Sequence, residues 1–177
     1  MMKNKTIVIY KSKTGFTERY AQWICEELGC EKVAYRDKES VCFDDYETII
    51  FGSGFHAGQI SGLKWFLKNI SKLEEKTNIV FATGATPPNV PDVQKALRQN
   101  FSEEEWNKIK VFYIQSGLNY EKMGSADKLM MSIYRKMVKK TEGESETYKM
   151  IENSYDFTSK ESILPLIEYC KSIEGMD

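Results

Sequence analysis

The segment Ser12-Lys13-Thr14-Gly15-Phe16-Thr17 places three hydroxyls and a glycine within six positions. It stands between the apolar run Thr6-Ile7-Val8-Ile9-Tyr10 and the start of an amphipathic pattern. A helix beginning there presents unpaired N–H groups and a partial positive charge, conditions that suit a phosphate. Ser12, Thr14 and Thr17 add hydroxyl donors, and Gly15 allows close backbone approach. Ordinary helix capping needs one such hydroxyl, and this loop offers three. The triphosphate pattern G-x-x-x-x-G-K-[ST] is absent, as is G-x-G-x-x-G after the first apolar run. The loop also has no thiol to serve as a phosphatase nucleophile. The expected ligand is a phosphate compound held by hydroxyls and backbone.

The elements that must position this loop follow from periodicity. Short apolar runs at Thr6–Tyr10, Lys32–Tyr35, Thr48–Gly52, Asn78–Ala82 and Lys110–Ile114 read as strands. Between them lie helical patterns. One covers Thr17–Leu28 with Gly29 past its end, and another covers Ser61–Ile70 with Leu63, Phe66, Leu67 and Ile70 on one face. A third runs to about Asn100, with Asn89 as the expected cap and Pro91 near its start. Ser102-Glu103-Glu104-Glu105 has capping-box spacing, and a closing helix is expected over Lys160–Ile173. Strands apolar throughout and separated by helices imply a parallel sheet covered on both faces, an α/β domain. In such a sheet a ligand sits beyond the carboxyl ends of the strands, where the strand order reverses.

Composition sets bounds. The 177 residues suit one domain, with 41% hydrophobic and 29% charged residues and a net charge of −1. That balance gives no global support for nucleic acid binding. No apolar run approaches the ~20 residues of a membrane helix. Met1-Met2-Lys3-Asn4-Lys5 leads into the first strand with no signal-peptide h-region. Cys25, Cys30, Cys42 and Cys170 lack paired metal spacing, and a single histidine, His56, excludes a multi-histidine metal site. The thiols are read as buried or incidental ones in a reducing cytoplasm, the expected location.

Ser12-Lys13-Thr14-Gly15-Phe16-Thr17 resembles the [ST]-x-T-G-x-T signature of flavodoxin-like proteins, which bind the phosphate of FMN in this loop. The resemblance implies a three-layer α/β sandwich with a five-stranded parallel sheet in the order 2-1-3-4-5. It also implies that two further loops flank the flavin ring. Here those loops are Ser53-Gly54-Phe55-His56-Ala57-Gly58-Gln59 and Thr83-Gly84-Ala85-Thr86-Pro87-Pro88. Gly54, Gly58 and Gly84 permit close approach to a flat ring, and Phe55 or His56 can pack on it. The alternative is a pair of surface turns with Phe55 in the core. His56 is kept as a cofactor contact, with no catalytic role assigned.

About 45 residues separate the last strand from the closing helix, long for a compact domain. Gly117-Leu118-Asn119-Tyr120 and the run from Ala126 to Thr147, with Glu142-Gly143-Glu144-Ser145 within it, resemble the menaquinone-dependent protoporphyrinogen IX dehydrogenases. Those are flavodoxin-like enzymes with a helical insert at this place, here about residues 118–158. The resemblance implies a quinone and a porphyrinogen-like substrate. An electron-transfer flavodoxin serving protein redox partners, and a non-redox module of the same fold, are the alternatives. Within 126–140, Met130, Ile133, Tyr134, Met137 and Val138 are expected along one broad face. Residues 128–140 carry five basic side chains and no acidic one. Such a helix suits an anionic membrane surface, a cover for an apolar substrate, or packing on its own domain. The loop after the fourth strand lacks the acidic residue usual in electron-carrier flavodoxins.

Overall fold

The computed structural model describes residues 5–70 and 75–174. Met1–Asn4, on which the leader reading rests, lie outside the described residues. The strands are β1 (Thr6–Lys11), β2 (Glu31–Ala34), β3 (Thr48–His56), β4 (Gln59–Ile60), β5 (Thr77–Gly84), β6 (Ile109–Gln115), β7 (Gly117–Leu118) and β8 (Tyr155–Asp156). The helices are α1 (Phe16–Leu28), α2 (Leu63–Ile70), α3 (Pro91–Arg98), α4 (Glu103–Lys108), α5 (Ser125–Glu142), α6 (Glu146–Ile151) and α7 (Leu164–Glu174).

Five strands form a parallel sheet in the order β2-β1-β3-β5-β6, with β4 hairpinned onto β3. This is the expected 2-1-3-4-5 order once β4 is set aside. Alternation along each strand divides the core into two layers. Val8, Ile50, Ile79 and Phe81 pack with Tyr20, Ile24 of α1 and Leu166, Ile167 of α7. Ile7, Ile9, Ile49, Phe51 and Val80 pack on the other side with Phe66 of α2 and Leu97 of α3. Each fully buried Ile or Phe contributes about 1.5–3 kcal/mol of transfer free energy. This burial holds the strand ends in fixed register.

The insert is a third, smaller layer. Leu118, Val138 and Ile151 form its core, with Ala85, Met123, Met131 and Tyr155 packed against them. The ribbon β7–β8 joins it to the sheet, and Phe157 N–H donates to the Ser116 carbonyl at 2.8 Å.

Several local expectations change. Asn89 does not cap α3: Val90 holds the N-cap position without a side-chain bond, in the extended conformation that a residue before Pro91 favours. Ser102 and Glu105 do form the reciprocal capping box of α4. The closing helix begins at Leu164, after a 3-10 turn over Lys160–Ile163, with Pro165 in its first turn. Ser53–His56 continues strand β3 rather than forming a loop, because β4 pairs back onto it. The broad face of α5 also divides. Val138 is buried, whereas Met130, Ile133, Tyr134 and Met137 are exposed, because Ile151 of α6 and Tyr155 of β8 pack on the side of α5 that carries Val138.

Candidate flavin site

The carboxyl ends of β1, β3 and β5 and the insert enclose a cavity of about 680 Å³. From the first loop, Lys13, Thr14, Phe16 and Thr17 line it. The β3–β4 hairpin adds Gly54, Phe55, His56 and Ala57, and the end of β5 adds Thr83, Gly84, Ala85 and Thr86. The topology thus brings together twelve of the sixteen residues expected from sequence. Ser12, Gly15, Ser53 and Gly58 stand behind this lining.

Those four set the shape of the wall. Ser12 Oγ accepts the Gly15 N–H at 3.1 Å, and Gly15 opens α1 with φ 94°. Ser53 Oγ donates to the Ser61 carbonyl at 2.6 Å. Ala57 and Gly58, with φ 49° and 78°, make the tight turn of the hairpin. Asn100 Nδ2 donates to the Gly58 carbonyl at 2.9 Å while its Oδ1 accepts the Ile60 N–H at 3.0 Å, clamping both sides of that turn.

The hydroxyls of the first loop have different tasks. Thr17 Oγ1 lies 2.7 Å from Thr83 Oγ1, and both residues are buried. This bond joins the first loop to the end of β5. Ser12 is engaged with Gly15. Thr14 faces the cavity, and its hydroxyl has no protein partner among the described residues. No side chain caps α1, so its first-turn N–H groups remain for a ligand. Capping therefore does not account for this group of hydroxyls.

His56 folds over Gly54, with Nε2 only 2.5 Å from where a Cβ on Gly54 would lie. Burial, and then the Lys13 ammonium, push the imidazole pKa down, so His56 is neutral at pH 7. Lys13 Nζ itself is 3.2 Å from Asp127 Oδ2 in the first turn of α5. Tyr113 donates its hydroxyl to the Thr86 carbonyl at 2.8 Å and meets Phe55 edge-on at 5.9 Å between ring centroids. That arrangement braces the β3–β4 hairpin and the end of β5 through one side chain.

The opposite wall comes from the insert, of which sequence reasoning names Met130 and Tyr134, on a helix that suits a cover for an apolar substrate, but not the other residues. Met123, Met130, Met131, Tyr134, Met150, Ile151 and Tyr155 close the cavity from the insert. Burial, with Tyr120 and Tyr134 nearby, pushes the Tyr155 pKa up to about 12, so its hydroxyl stays protonated. The four methionines were visible in the sequence, but only the folding back of α5 and α6 brings them to one place. Met137, grouped with Met130 by periodicity, does not line the cavity.

A protein-family model described as a flavodoxin domain matches residues 7–147. The chain belongs to the flavodoxin domain family. FMN is that family's cofactor, and the cavity fits it through an uncapped helix N-terminus, an unpartnered Thr14 hydroxyl and two glycine-bearing strand ends. Among solved structures, this flavodoxin-domain chain is similar to a flavoprotein in complex with FMN from Lactobacillus acidophilus. The identity there is 18% and the TM-score 0.47, covering 63% of this chain and 92% of that one. It is similar to the Trp repressor binding protein of Bacillus subtilis at 19% identity and a TM-score of 0.47, covering 65% and 85%. A WrbA-like flavodoxin of Agrobacterium tumefaciens matches at 21% identity and a TM-score of 0.39, covering 53% and 71%. No curated protein matches the sequence.

Proposed function

We propose that this flavodoxin-domain protein holds FMN noncovalently in the cavity and oxidises a large, flat, apolar reductant, with a quinone as acceptor, in the manner of the protoporphyrinogen IX dehydrogenases. Bound FMN would supply reversible uptake of two electrons, chemistry that no side chain here provides. The first loop is assigned to its phosphate, and Gly54–Ala57 with Thr83–Thr86 to the ring, with Ser12, Gly15, Ser53 and Gly58 shaping the wall from behind. Thr14 and the α1 amides would bind the phosphate, while Gly54, Gly84 and Phe55 would fix the ring plane. His56, neutral at pH 7, can donate or accept one hydrogen bond at the rim.

The observation that carries the reading is the methionine wall of Met123, Met130, Met131 and Met150. Polarisable, unbranched side chains adapt to a broad flat ligand. An electron carrier that docks proteins has no use for such a wall over its cofactor. Peripheral contact with an anionic membrane is supported by α5, where Leu129, Ile133 and Met137 are 63%, 60% and 54% exposed beside Lys136 and Lys140. Met130 and Tyr134 belong both to this exposed face and to the cavity lining, a continuous apolar path for a lipid-soluble quinone. Among the described residues no helix is long and apolar enough to cross a membrane.

Turnover of a porphyrinogen with a quinone acceptor tests the proposal. Met130→Ser should lower kcat/KM for the porphyrinogen and leave reduction by a small artificial donor unchanged. A yellow protein that carries FMN but turns over no porphyrinogen would refute the dehydrogenase reading alone.

A further inference from the structure

A second, more polar cavity of about 610 Å³ adjoins the first loop on its outer side. Thr14, Gly15 and Phe16 form one wall, and Asn119 and Lys122 of the insert form part of the other. Lys122 reaches across this gap: its Nζ lies 3.5 Å from the position a Cβ on Gly15 would take. The turn that carries it is fixed from several directions. Asn119 Oδ1 accepts the Lys122 N–H at 3.1 Å, and the Asn119 carbonyl accepts the Met123 N–H at 3.1 Å. The Ser154 hydroxyl accepts the following Tyr120 N–H at 3.0 Å.

The charges around the loop explain why a lysine belongs there. A phosphate monoester carries about −1.5 to −2 near pH 7, and a helix N-terminus offers only about half a positive charge. Lys13, the one cation within Ser12–Thr17, is paired with Asp127. On the outer side Arg19 is paired with Asp156 and Lys32 with Glu18. Lys122 has no acidic partner among the described residues, although Glu18, Glu121 and Asp156 line the same cavity. Among the described residues that line this cavity, Lys122 is the cation outside any ion pair.

We propose that Lys122 is a phosphate-binding residue: the insert supplies a charge to the FMN phosphate that the first loop does not supply itself. This rests on the FMN reading above. It makes the insert a part of the cofactor site as well as a cover for substrate.

FMN and riboflavin dissociation constants, measured on the full chain by flavin fluorescence quenching, separate the possibilities. Lys122→Met should weaken FMN about tenfold, the loss of one charge-assisted contact, and leave riboflavin unchanged. Lys122→Arg should retain most of the FMN affinity. The native protein should lose FMN affinity with added salt more steeply than Lys122→Met does. A Lys122→Met protein that binds FMN as tightly as the native one, while the native one still prefers FMN to riboflavin, overturns the role of Lys122 and leaves the phosphate loop standing. A native protein with no preference for FMN over riboflavin overturns the phosphate site and the Lys122 proposal together. Lys122 is exposed, and far-UV circular dichroism checks that each variant is folded.

Discussion

Thr14 and Thr17 have the same side chain and different consequences. Thr14 faces the cavity without a protein partner, so Thr14→Ala should weaken FMN about tenfold, a loss of ~1.5 kcal/mol, with riboflavin affinity and stability unchanged. Thr17→Ala strands the buried Thr83 hydroxyl and should lower unfolding free energy by about 1–3 kcal/mol in urea titrations. His56 is the single histidine of the chain, so its ring resonances can be followed by proton NMR without assignment. Its titration midpoint should lie below the ordinary 6.5. The sign of the linked stability follows. Below pH 6.5 the unfolded chain binds a proton that the folded chain refuses, so this contribution falls with pH until the folded-state pKa is passed. A midpoint at 6.5 would show that His56 faces open solvent instead, and one above 6.5 that it faces an anion.

At the scale of elements, the cavity depends on turns held from behind. Asn100, at the end of α3, bonds the Ile60 N–H and the carbonyls of Gly58 and Ala96 at 3.0, 2.9 and 2.8 Å. Asn100→Ala leaves those hairpin groups unpaired and should cost about 1–3 kcal/mol, read as a lower denaturation midpoint. The end of β5 is fixed differently. A Cβ on Gly84 would lie 2.4 Å from the Tyr113 hydroxyl. Gly84→Ala should therefore displace Tyr113 from the Thr86 carbonyl and weaken FMN binding, and adding Tyr113→Phe should recover part of the loss. If Gly84→Ala alone binds FMN normally, the loop after β5 is not held by Tyr113.

At the scale of the whole molecule, two apolar faces meet at the insert: the cavity wall and the exposed stripe of α5. Charge reversal of Arg135, Lys136, Lys139 and Lys140 to glutamate should leave the FMN spectrum intact, since none of these residues lines the cavity. The same change should abolish sedimentation with anionic vesicles, because each basic residue near such a surface contributes about 1 kcal/mol. Vesicle binding that survives the reversal would assign the contact to the apolar stripe alone.

The sequence by itself determined the parts whose cause is local. Apolar runs of β-branched residues set the strands, and Gly29 and the Ser102–Glu105 box set helix ends. Twelve of the sixteen expected site residues reached one cavity because strand order, once parallel, carries all three loops to one edge. What remained hidden depended on contacts distant in sequence. Nothing near Thr17 indicates that its hydroxyl is spent on Thr83, and nothing near Ser53 indicates that β3 continues to His56. Helical periodicity likewise could not say which side of α5 is covered: its apolar residues fill more than one face, and only packing of α6 and β8 decides that Val138 is buried and Met137 is not. Tertiary structure alone turned Lys122 toward Gly15, because 107 positions of chain must fold before those two residues meet.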